Sequence, residues 1–65
     1  MSEEATVRGI PIELRQAIFL SVVESQDKGR SVVESRADVA IQYSVTVKDV
    51  IDIEREGLAN QWPPL

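Results

Sequence analysis

Three carboxylates, Asp49, Asp52 and Glu56, recur at intervals of three and four residues. That spacing brings side chains to one side of a helix. A row of oxygen ligands of this kind could hold a divalent cation. No further ligand source accompanies it, so neither a metal nor any other cofactor is expected. The chain holds no histidine and no cysteine. The side chain best suited to proton transfer near neutral pH, the thiolate nucleophile and the usual zinc ligands are therefore all missing. The serines have only lysines or carboxylates as possible bases. A chain of 65 residues also leaves little room for a concave catalytic pocket. An enzymatic activity is not expected.

Two hydroxyl–carboxylate pairs do a humbler job. Ser35 stands three residues before Asp38, and Thr46 stands three before Asp49. In each pair the hydroxyl can accept from a free N–H while the acid reaches back to the cap N–H, which marks a helix start. Upstream, Pro11 suits the first position of a helix. Ile12, Leu14, Ile18, Phe19, Val22 and Val23 then recur at helical spacing, and Gly29 suits a left-handed closing residue. Gly57 reads as the end of the last helix, with Leu58 folding back on Ile53. The expected fold is all-α: helices over about 11–27, 36–43 and 47–56, with a helix-turn-helix between Ser35 and Gly57. Residues 1–65 make one small domain, with a loose arm at 1–9 and an irregular tail at 58–65 that contains Pro63 and Pro64. Trp62 is expected to pack onto the helices. The pentapeptide Ser-Val-Val-Glu-Ser occurs at 21–25 and again at 31–35. The first copy falls inside helix one; the second lies in the connection or begins helix two.

The second half of the chain carries an ordered apolar set. Val39, Ala40 and Tyr43 share one face of helix two, Val45 sits in the turn, and Val50 and Ile53 share one face of helix three. The small Ala40 permits close approach, Val45 plugs the corner, and the other four close the core. The stretch Ala40-x3-Ser44-Val45-Thr46-x3-Val50-x2-Ile53 resembles the bacterial helix-turn-helix of small DNA-binding proteins. The segment Pro11-Ile12-Glu13-Leu14-Arg15, with the apolar run after it, resembles the part of sigma factor region four that precedes its helix-turn-helix. The resemblance implies a DNA-binding regulator of transcription whose third helix enters the major groove. Carried over position by position, it makes Thr46, Val47, Lys48, Ile51 and Asp52 the DNA-binding residues of helix three; Arg36, at the start of helix two, is placed to meet the DNA backbone, with Arg55, Lys28 and Arg30 as further cations. The chain departs from the family at Ser44, where the turn usually takes glycine, and at the apolar Val47 and Ile51.

Charge argues the other way. The net charge is −4. Four cations face six acids in residues 1–35 and three face five in residues 36–65, so each half carries −2. DNA readers usually present a basic surface. Asp49, Asp52, Glu54 and Glu56 make helix three acidic as a string of letters. The alternative function is therefore an acidic protein-interaction module, with Ile41, Val47 and Ile51 as the apolar centre of its interface. Either way a homodimer is expected, because a chain this short buries only about 60% of its unfolded surface and gains from a partner. No apolar stretch approaches the roughly 20 residues that span a bilayer. The start, Met1-Ser2-Glu3-Glu4, does not read as a signal peptide. A cytoplasmic location is expected.

Overall fold

The computed structural model describes residues 9–65, which form three helices: α1 (Ile12–Asp27), α2 (Val32–Tyr43) and α3 (Val47–Asn60). No strand occurs among the described residues. The all-α architecture, with α2 and α3 joined by a three-residue turn, agrees with expectation. The arm expected at 1–9 lies, apart from Gly9, outside the described residues.

Pro11 does not take the first helical position. It caps α1 in an extended conformation (φ −60°, ψ 151°), and its carbonyl accepts from the Arg15 N–H at 2.9 Å. The buried stripe of α1 is Arg15, Ile18, Phe19 and Val22. Ile12 and Leu14, expected on the apolar face, are exposed. Leu14 precedes Arg15 by one residue, which turns it about 100° away from that stripe.

Helix α2 begins four residues earlier than expected. Its capping box is Ser31 with Glu34, not Ser35 with Asp38. The Glu34 N–H donates to Ser31 Oγ at 3.0 Å, and the Ser31 N–H donates to Glu34 Oε1 at 3.1 Å. Glutamate, with its extra methylene, is the residue this motif favours. The second pentapeptide therefore starts α2, and its last serine, Ser35, becomes a buried interhelical contact. Ser35 Oγ donates to Ser25 Oγ at 3.0 Å, so the closing serines of the two copies meet. Ser21, which opens the first copy, lies 2.7 Å from the Tyr43 hydroxyl. These two hydroxyl contacts join α1 to α2.

All three helices end in the same way. A residue with positive φ reverses the chain, and the next N–H reaches back to the carbonyl five residues earlier. The reversing residues are Gly29 (φ 96°), Ser44 (φ 58°) and Gln61 (φ 52°). The returning N–H groups are those of Arg30, Val45 and Trp62, at 3.2, 3.0 and 3.0 Å. A left-handed conformation costs a residue with a Cβ about 1–2 kcal/mol, so Ser44 and Gln61 are held there by what they join.

Helix α3 opens at Thr46, as expected. The Asp49 N–H donates to Thr46 Oγ1 at 3.0 Å, and the Thr46 N–H donates to Asp49 Oδ2 at 3.1 Å. Gly57 does not end the helix, which runs on to Asn60. A Cβ at position 57 would collide with the Phe19 ring. Glycine is there so that α1 can approach α3. Leu58 is consequently still helical and exposed, and does not fold back on Ile53.

The core comprises Ile18, Phe19, Val22, Val39, Ala40, Val50, Ile53 and Trp62, with Tyr43 and Val45 partly buried against it. The expected corner set is thus assembled. Trp62 does pack inward and meets Phe19 edge to face, with ring centroids 5.9 Å apart and planes at 84°.

Candidate functional site

The three-residue turn sets α3 across α2 with one side of α3 left uncovered. Val50, Ile53 and Gly57 are buried with Asp49. At about 100° per residue, Val47, Lys48, Ile51, Asp52 and Arg55 share the opposite side. Val47, Lys48 and Arg55 are exposed, while Ile51 and Asp52 are half-buried. Thr46 caps the first turn and is exposed, though its hydroxyl already accepts from Asp49. Of the residues expected to contact DNA, five of the six therefore gather at one place: Thr46, Val47, Lys48, Ile51 and Asp52.

Arg36, the sixth, lies on α2 and is committed elsewhere. Its Nε and Nη2 donate to the two carboxylate oxygens of Glu54, at 2.8 and 3.2 Å. That pair clamps α2 to α3 and raises the Arg36 pKa, chiefly through the hydrogen bond to Glu54. Arg15 does the same between α1 and α3. Its side chain is only 4% exposed, donates to Glu56 at 2.8 and 2.9 Å, and also donates to the Ile10 carbonyl at 2.6 Å. Sequence reasoning did not single out either clamp. No local pattern could have shown them, since the partners lie 41 and 18 residues apart.

These clamps revise the electrostatics of α3. Of its four acids, Glu54 and Glu56 are neutralised by arginines of the neighbouring helices. Asp49 is 1% exposed within the capping box. Asp52 alone belongs to the outer side, where Lys48 Nζ donates to it at 2.9 Å. The outer side thus holds two cations, Lys48 and Arg55, against one acid. The carboxylates of Asp49, Asp52 and Glu56, although they follow one another at helical spacing, are each engaged with a different partner. No cluster able to hold a metal ion occurs among the described residues.

The other cations lie away from this side. Arg30 is paired with Asp38 at 2.7 Å and sits 3.9 Å from Glu34. Lys28 lies with it beside a polar cavity of about 360 Å³ between α1 and α2, also lined by Ser21, Glu24 and Gln42. Of the expected interface residues, Ile41 is 80% exposed on α2, Val47 is 44% exposed, and Ile51 is half-covered.

No family model, curated protein or solved structure matches this chain. Among the described residues, no helix is long and apolar enough to cross a membrane.

Proposed function

We propose that this protein is a small cytoplasmic helix-turn-helix protein that binds duplex DNA through the outer side of α3 and regulates transcription as a homodimer. The observation that carries this reading is where the acids of α3 go. Three of the four are turned toward the capping box or the neighbouring helices, and the outer side keeps Lys48 and Arg55 against Asp52 alone. The acidity of the whole chain is therefore not the charge that DNA would meet. A recognition helix meets DNA with its N-terminal residues, and here the first turn, with Thr46, Val47 and Lys48, is exposed. Dimer formation would place two such helices on two half-sites and would also cover exposed apolar surface.

The test is a fluorescence-anisotropy titration with mixed-sequence duplex DNA at low and moderate salt. Micromolar binding that weakens with salt is expected, because each neutralised phosphate releases counterions. Arg55→Ala removes the cation of this side that forms no ion pair among the described residues, and should weaken binding and lower the salt slope by about one. A second reading, an acidic protein-interaction module, is favoured by the exposure of Ile41. Absence of DNA binding at low salt would overturn the first reading and leave the second.

A further inference from the structure

The outer side of α3 carries an apolar pair in the place where a DNA reader makes base contacts. Val47 and Ile51 are one turn apart, so their Cβ atoms lie about 5–6 Å from each other. Val47 is 44% exposed and Ile51 half-covered, and they are bordered by Lys48 and Asp52. The first two turns of this side hold no Asn, Gln or Arg. The bidentate contact that identifies adenine is therefore not available there, and Lys48, which could bond guanine, is held by Asp52. Lys48 and Asp52 already satisfy one another at 2.9 Å.

The four base pairs present only one apolar group to the major groove, the C5-methyl of thymine. An apolar pair facing any other base edge would remove polar atoms from water with nothing to replace their hydrogen bonds. Successive base pairs are stacked about 3.4 Å apart, so two side chains one helical turn apart can reach methyls on neighbouring pairs. Arg55 on the same side then meets a flanking phosphate.

We infer that Val47 and Ile51 read thymine methyl groups, and that the DNA this protein selects carries thymines at neighbouring positions under the first two turns of α3. This inference rests on the DNA-binding reading and adds the base class to it.

The test removes the methyl and nothing else. Three labelled duplexes of about two helical turns, roughly 20 base pairs, are titrated with the full chain by anisotropy at low salt. One is alternating dA-dT, one is the same with deoxyuridine replacing thymidine, and one is alternating dG-dC. The thymidine duplex should bind more tightly than the deoxyuridine duplex by about fourfold for each methyl seated, the transfer preference of one such group. The dG-dC duplex should bind no better than the deoxyuridine one. Val47→Ser lies in the exposed first turn; circular dichroism should show parental helix content, and the thymidine preference should collapse toward one. Ile51→Ala provides the same reading from the second position.

Equal binding of the thymidine and deoxyuridine duplexes would overturn the inference and leave the DNA-binding reading intact. A preference that survives both substitutions would assign it to DNA shape and would equally overturn the role of these residues. No binding to any of the three duplexes would overturn both readings together.

Discussion

The outer sides of α1 and α3 look alike as letters and differ as surfaces. Helix α1 carries Glu13, Glu24 and Asp27, all exposed and within a narrow arc of the helix. None of them forms an ion pair among the described residues. Helix α3 carries more acids in fewer residues, yet presents only Asp52 outward. The difference is made by arginines on other helices. Arg15 and Arg36 draw Glu56 and Glu54 into the junctions, and the capping box takes Asp49. Among the described residues, the face of α1 thus gathers three acids that form no ion pair, while three of the four acids of α3 are turned inward. A charge count along the chain cannot say which surface carries the charge.

The largest test of this contrast replaces one acid of each kind. Glu56→Ala leaves the almost fully buried Arg15 without its carboxylate, and removing one partner of a buried pair costs about 3–5 kcal/mol. Glu56 is itself partly solvated, at 20% exposed, so a loss of about 2–3 kcal/mol is expected. Glu24→Ala on α1 should change stability by less than about 0.5 kcal/mol. Urea unfolding followed by circular dichroism measures both. If the two variants unfold alike, the acids of α3 are not clamped and the surface argument fails.

How much of this was legible in the sequence follows from the range of each interaction. The Thr46–Asp49 box, the left-handed Gly29 and the apolar corner of Val39, Ala40, Val45, Val50 and Ile53 are local or periodic, and the pattern alone places them. The start of α2 is ambiguous in the sequence because two serines four residues apart each precede an acid by three. Only packing decides between them, by burying Ser35 against Ser25. Gly57 resembles a helix stop until Phe19 is seen to fill the space its missing side chain leaves. In the candidate site, the proposed DNA contacts on α3 are those that the helix-turn-helix resemblance implies; helical spacing shows only that they share one side. The commitment of Arg36 to Glu54, and the inward turn of three acids, depend on how the helices cross, which no local pattern specifies.

A second variant sharpens the contrast on the outer side itself. Asp52→Ala frees Lys48 and removes the one acid that α3 carries on its outer side. Stability should stay within about 0.5 kcal/mol of the parent, since Lys48 is largely solvated and the pair follows the i, i+4 arrangement. Affinity for duplex DNA at low salt should rise by about threefold to tenfold, with a steeper salt dependence, because one more cation is available to phosphate. Unchanged affinity would mean that this side does not meet the phosphates.

The smallest effect concerns an acid that is exposed and yet not idle. Glu34 accepts from the Ser31 N–H and sits near Arg30, and these hold its pKa below the usual carboxylate range, the hydrogen bond contributing most and the arginine next. A depressed folded-state pKa means that the stabilisation is complete above the unfolded value and is lost as pH falls through the folded one. Glu34→Gln can still close the capping box but cannot titrate. Melting temperatures of parent and variant, compared between about pH 7 and pH 3, should therefore differ most at neutral pH, with the parent higher. They should converge as the carboxylate of the parent is protonated. A constant difference across that range would mean that Glu34 caps α2 by shape alone. Exposure would then be sufficient to mark an acid of this protein as electrostatically silent, and the outer acids of α1 would fall in the same class as Glu34.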